Sequence, residues 1–168
     1  GRLVSCEHRG RCISRTEHDG SRTVLVSRFG GLRLNSPNDL VVKSDGTIWF
    51  TDPAYGIIQA HEGHLGTREY GDHFVFRFDP ATGEVRRFLT GPNRCEVTGV
   101  TMTPDGRTMF VGIQHPGEDA TAANPQQFSA WPASQWTVAA DGVTLLPQGR
   151  PRSGVVVITK DDGGVIGT

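Results

Sequence analysis

The sequence is short of cysteine, of long apolar runs and of excess charge of either sign, and each shortage excludes a class of protein. Its three cysteines, Cys6, Cys12 and Cys95, are too few and too odd in number for a disulfide framework. Cys6 and Cys12 flank a predicted hairpin turn and stand within reach of cross-strand pairing; two free thiols is the plainer reading. No run approaches the roughly 20 apolar residues that a membrane-spanning helix needs. Lys plus Arg number 17 against 18 Asp plus Glu, a net charge of −1. Binding to nucleic acid or to a membrane surface would ask for a basic excess, so neither is expected. The opening GRLVSCEHRG has no signal-peptide layout and no initiating Met. It reads as the middle of a strand, which predicts a soluble chain truncated at its N-terminus, with its compartment illegible.

What the chain has in plenty is punctuation. Gly (22) and Pro (10) make 32 of the 168 residues. So many breaks do not suit a helical bundle; they suit short strands joined by tight turns. The length suits one domain able to bury a core.

An internal repeat organises those strands. Ser36–Gly56, SPNDLVVKSDGTIWFTDPAYG, aligns with Glu96–Gly117, EVTGVTMTPDGRTMFVGIQHPG, with Asp45-Gly46 falling on Asp105-Gly106 at an offset of 60. Each copy reads as an apolar strand, an Asp-Gly turn and a second apolar strand, a strong hairpin signal because Gly takes positive φ at little cost. A second hairpin follows each copy: residues 73–79 with 84–90, and 154–160 with the short GVIGT at 164–168. Residues 2–8, 12–17 and 22–27 fit the same scheme with the first strand missing. Four antiparallel strands in about 60 residues are the mark of a β-propeller blade. An ordinary β-sandwich would share the turns but not the matching strand lengths.

The expected fold is therefore all-β, a partial propeller of about three four-stranded antiparallel blades. They cover 1–28 (incomplete), 36–90 and 96–168, one piece of a six-bladed ring. Three blades do not close a ring, since propellers have about 4–8. Further blades, or a homo-oligomer, would have to complete it. Residues 118–153 interrupt the last blade as a long insertion rich in Pro, the kind of loop that serves as a lid. Trp131 and Trp136 are expected to pin it to the blade.

In a blade the first strand lines the central channel, and its start shares a rim with the end of the second. That rim would gather Glu7, His8, Asn38, Asp39, Asp52, Glu96 and His115. Carboxylates with an amide carbonyl are hard oxygen donors, a set that suits Ca²⁺ or Mg²⁺ better than Zn²⁺. His61-Glu62-Gly63-His64 superficially resembles a zinc motif. Its two His stand three apart in a Gly-rich loop, whereas the zinc-protease pattern sets them four apart on a helix.

Two family resemblances follow from these motifs. CEHRGR (6–11), TEHDGS (16–21) and RLNSPNDLVVKSDGTIWFTDPAYGI (33–57) resemble the gluconolactonase/regucalcin-type lactonases over about residues 1–80. That resemblance implies a six-bladed propeller with one divalent metal, usually calcium, hydrolysing sugar lactones or related esters. Asn38 matches the family's channel-facing Asn of the PND motif. EVRRFLTGPNRCEVTGVTMTPDGRTMFVGIQHPGE (84–118), AWP (130–132) and RPRSGVVVITKDDGGVIG (150–167) resemble the closing part of PhoX-type alkaline phosphatases, which implies calcium and iron in the channel. Glu96 matches one of their metal-binding carboxylates. The halves differ: Thr98 stands where a lactonase repeat would show a second Asn, and nothing before residue 84 resembles the PhoX iron-binding Cys.

Three functions are consistent with this. The first is a metal-dependent lactonase or esterase. Ca²⁺ would polarise the carbonyl, Asn38 would ligate the metal or orient the substrate, and Asp52 or Glu7 would activate water as general base. The second is a PhoX-like phosphomonoesterase in which Glu96 holds metal, calcium or iron, while Arg150 or Arg152 clamps phosphate oxygens. In either, Asn38 and His115 would contact the small-molecule lactone, ester or phosphoester. The third is an inactive partial propeller acting as an assembly module through its open sheet edges.

Overall fold

A computed structural model describes residues 1–133 and 150–168. Strands β1 (Val4–Glu7), β2 (Cys12–Thr16) and β3 (Arg22–Val26) form the first antiparallel sheet, in that order. A two-residue hairpin follows, β4 (Arg28–Phe29) with β5 (Leu32–Arg33). The second sheet runs β6 (Asp39–Val42), β7 (Ile48–Thr51), β8 (Phe74–Asp79) and β9 (Glu84–Thr90). The third runs β10 (Glu96–Met102), β11 (Thr108–Gln114) and β12 (Gly154–Thr159). Among the described residues one short helix, α1 (Tyr55–Ile58), follows β7.

The Asp-Gly turns are built alike. Gly20, Gly46 and Gly106 have φ of +83°, +87° and +66°, the left-handed region that disfavours a side chain. The preceding Asp accepts the backbone N–H two residues on: Ser21 to Asp19, Thr47 to Asp45 and Arg107 to Asp105, at 2.9, 3.0 and 3.1 Å. This Asx turn closes each hairpin locally, so the register of each pair follows from its turn.

Burial explains the stacking. All four residues of β7 are buried, because the second sheet lies between the other two. Alternation sends Ile48 and Phe50 one way and Trp49 the other. Ile48 and Phe50 join Phe74, Phe76, Phe78, Ile13, Val26 and Leu34 at the seam with the first sheet. Trp49 joins Val75, Val97, Val100, Met109, Val111 and Ile113 at the seam with the third. Three stacked sheets of this kind are the blades of a partial β-propeller.

Several expectations are corrected. Residues 164–168 do not form a fourth strand of the last blade. Gly163 and Gly167 take left-handed φ of +67° and +81°, which breaks an extended run. The tail instead folds back, with Ile166 N–H donating to Gly106 O at 2.9 Å and its side chain buried in the second seam. The hairpin at 28–33 and helix α1 were not legible; Phe29 anchors the hairpin by packing on Phe76, ring centres 4.9 Å apart. The described part of the segment after β11 includes Trp131, which packs against the second seam. Trp136 lies outside the described residues. Cys6 stands opposite Ile13 and Cys12 opposite Glu7, and all three cysteines are free thiols. Among the described residues no helix is long and apolar enough to cross a membrane.

Candidate functional site

The first strands of the second and third sheets run side by side, and polar side chains join them at one end. Asn38, just before β6, donates its side-chain amide to Glu96 Oε1 at 3.0 Å and to Thr98 Oγ1 at 3.2 Å, both on β10. Its carbonyl oxygen accepts the Thr51 hydroxyl from the end of β7. These partners fix the amide orientation: a flip would set the amide oxygen against the Glu96 carboxylate, acceptor against acceptor.

Glu96 also meets the end of β11. Its Oε2 lies 3.4 Å from His115 Nε2. His115 sits in the left-handed region, φ +29°, and its backbone N–H donates to Ser153 Oγ at 3.0 Å. Its Nδ1 lies 3.6 Å from Glu118 Oε2 and 3.3 Å from the Tyr55 hydroxyl, which itself donates to Glu118. The Tyr55 ring meets the imidazole edge-on, 5.7 Å between centres. Burial raises the Glu96 pKa above the usual carboxylate range, against the pull of His115. Burial and the Glu118 carboxylate likewise raise that of Tyr55. The imidazole thus stands between two carboxylates at a mouth open to solvent.

The structure gathers Asn38, Glu96 and His115, but not every residue that repeat position put at the rim. Asp52 is wholly buried. Its neighbour Thr51 points to Asn38, so strand alternation turns Asp52 to the opposite side. There its Oδ2 accepts the Asn35 N–H at 2.8 Å and the Tyr70 hydroxyl, which leaves no route for it to act on a substrate at the mouth. Glu7 is held on the first sheet by Arg22, Nε and Nη2 each donating at 2.6 Å, and by the Ser14 hydroxyl. Arg22 holds its pKa below the usual range, and a carboxylate so engaged makes a poor base. Asp39 Oδ1 accepts the Leu40 N–H. His8 reaches the neighbourhood of α1, its Nδ1 3.0 Å from Glu62 O and its ring against Gly56. Arg150 and Arg152 are exposed, and Arg150 lines a groove of about 400 Å³ together with His115 and Glu118. His61 is exposed, its side chain 3.7 Å from Glu62.

Sequence reasoning missed Tyr55 and Glu118. The signal was present for Tyr55: it stands 60 residues before His115, the period of the repeat, so the two occupy equivalent places in successive blades.

Glu96 offers a hard oxygen donor at the mouth, whereas Asn38 turns its NH₂ toward Glu96 and its oxygen toward Thr51. A calcium ion asks for 6–8. Among the described residues no group of three or more His, Cys, Asp or Glu side chains is arranged to hold a metal ion. These residues alone therefore do not fit a complete metal shell.

A family model described as Alkaline phosphatase PhoX matches residues 13–117. The chain is 32% identical over 90 residues to a gluconolactonase of Zymomonas mobilis, covering 54% of this chain and 24% of that protein. A gluconolactonase structure from Xanthomonas campestris superposes with a TM-score of 0.63 at 41% identity, covering 69% of this chain and 38% of that one. The structure of Pseudomonas fluorescens PhoX in complex with vanadate, a transition-state analogue, superposes with a TM-score of 0.60 at 30% identity, covering 93% of this chain and 27% of that one. The chain thus spans between about a quarter and two fifths of the length of these relatives.

Proposed function

The chain belongs to the alkaline phosphatase PhoX family, and we propose that it supplies part of a channel-mouth site that hydrolyses phosphomonoesters. The observation that carries this reading is Glu96, half-buried at the mouth and held between Asn38 and His115, with Thr98 rather than a second Asn beside it. In support, the likeness to the vanadate-bound phosphatase extends over both halves of the chain.

Hydrolysis of such an ester breaks the P–O bond, takes up water and releases an alcohol and phosphate. The exposed Arg150, on the groove it shares with His115, would present its planar fork to phosphate oxygens. His115, oriented by Glu96 and Glu118, would hydrogen-bond the departing ester oxygen. Asn38 would hold Glu96 in place. A divalent metal, calcium first, would draw only part of its shell from this chain, with Glu96 as the oxygen donor at the mouth.

A second reading, hydrolysis of a sugar lactone, is favoured by Asn38 in its Pro-Asn-Asp setting and by the 41% identity to the Xanthomonas enzyme. The purified chain, checked for folding by circular dichroism, is assayed with an aryl phosphate and a sugar lactone, with calcium and with a chelator. Phosphate release lowered at least about 100-fold in Glu96→Gln is the expected result, the scale of losing one electrostatic contact in a transition state. Lactone turnover without phosphatase activity selects the second reading. A folded chain silent on both leaves the assembly module, for which light scattering would give a discrete multiple of 18.2 kDa.

A further inference from the structure

Between the first and second sheets lies a buried polar cluster that the channel-mouth reading does not use. It comprises Arg11 from the β1–β2 turn, Asn35 and Asp52, with exposures of 7%, 0% and 0%. The three are packed together. Arg11 Nε donates to Leu34 O at 2.6 Å, one residue from Asn35. Asn35 N–H donates to Asp52 Oδ2 at 2.8 Å. The Arg11 charge acts on the Asp52 carboxyl, and Tyr70, which donates to Asp52, feels both.

Each of the three carries one buried polar atom without a protein partner: Arg11 Nη2, Asn35 Oδ1 and Asp52 Oδ1. The orientation of Asn35 is not arbitrary. Its Nδ2 donates to Asp52 O at 3.3 Å and to Gly71 O at 3.1 Å, and a flip would forfeit both. Its Oδ1 therefore has no protein donor. One donor and two acceptors are the complement of a single water molecule, which accepts from a cation and donates twice. Leaving each atom unpaired in a buried site would be costly, whereas internal waters with about three partners are ordinary parts of folded proteins.

We infer that Arg11, Asn35 and Asp52 hold one ordered internal water at the seam of the first two sheets, and that it acts as a joint positioning the candidate site. The second half of the inference follows from what these residues precede. Asn35 leads through Ser36 to Asn38, and Asp52 leads through Pro53 to Tyr55. Ser36 ties the two segments: its hydroxyl donates to Pro53 O at 2.6 Å and accepts Gly56 N–H at 3.0 Å. Fixing the bases of both segments fixes the distance between Asn38 and Tyr55. Asp52 is then a positioning residue, not a base. A monovalent cation is disfavoured by the positive charge of Arg11, whose field reaches the Asp52 carboxyl.

The test does not depend on hydrolase activity, so its failure is separate from failure of the proposed function. A high-resolution crystal structure of the chain is expected to show a density peak within about 2.7–3.2 Å of all three atoms. A direct Arg11–Asp52 contact with no such peak overturns the inference. In solution, the side-chain NH₂ of Asn38 is followed by NMR in the unaltered chain and in Asp52→Asn. That variant keeps the acceptor for Asn35 and Tyr70 but presents NH₂ to the water in place of Oδ1. Exchange of the Asn38 side-chain amide with solvent is expected to quicken about tenfold or more, while backbone amides of β11 keep their rates. Equal quickening in both would mean general loosening and would refute a positioning role; so would no change. If the variant does not fold, the crystallographic peak in the unaltered chain and a long-lived water contact to the Asn35 side-chain amide decide.

Discussion

Asn38 donates its side-chain amide to Thr98 across 3.2 Å, and the two residues stand 60 positions apart, one full repeat. Equivalent places in successive blades have become direct neighbours, which is what radial stacking of sheets does to a tandem sequence. The same amide holds Glu96, so the pair is both a seam contact and the floor of the candidate site.

Replacing Asn38 should therefore be felt in stability as well as chemistry. Asn38→Ala leaves Glu96 without its amide donor and should cost about 1–3 kcal/mol, the range for a hydrogen bond to a charged group and its unpaired remnant. Asn38→Asp should cost more, because it sets a second carboxylate beside Glu96 in a half-buried place. Urea midpoints, with the slope unchanged, measure both. An Asp variant as stable as the original chain would mean that the two side chains do not meet.

Much of this arrangement was legible in the sequence, and the limits have physical causes. The three sheets followed from the Asp-Gly turns, because Gly46 and Gly106 need positive φ and their Asp residues close the turn locally. The meeting of Asn38 with Glu96 followed from the repeat. What failed was side-chain direction: Asp52 shares the rim by position, but strand alternation turns it inward, and a one-residue difference in facing is invisible in an alignment of blades. The C-terminal tail reads as a strand in the sequence because its apolar residues suit one. Burial of Ile166 decides its course, and the seam that receives it is built from residues distant in sequence.

The buried Asp52 should leave a signature in the pH dependence of stability. Burial raises its pKa from 3.8 to about 6 in the fold, opposed by Tyr70, Asn35 and Arg11. A raised folded-state pKa means that the protonated form is favoured by folding. The resulting stability is fully present below about 3.8 and is lost as pH rises through about 6. A shift of this size corresponds to at most about 3 kcal/mol. Glu17, held at about 2 mainly by Arg15, acts in the opposite sense, losing its contribution as pH falls toward 2. In Asp52→Asn the first slope should vanish and the second remain. Urea midpoints compared between about pH 4 and pH 7 should converge at the acid end and separate in favour of the variant at the neutral end. Parallel curves would show that Asp52 does not titrate in this window.

The packing of the tail on the seam of the second and third sheets can be tested with two glycines of similar φ. Gly46 has φ +87° and open space where a Cβ would project. Gly46→Ala should cost only the backbone term, about 1–2 kcal/mol for a left-handed residue. Gly167 has φ +81°, but a Cβ there would come within 2.6 Å of Trp49 Cζ2, in a ring that is wholly buried and cannot yield without disturbing the seam. Gly167→Ala should pay the same backbone term plus overpacking of about 1–3 kcal/mol, or expel the tail. Expulsion is separable by Trp fluorescence, since it would wet the indole that the tail now covers. If Gly167→Ala proves no worse than Gly46→Ala and the emission does not shift, the tail does not pack on Trp49, and Ile166 is not part of the core between the second and third sheets.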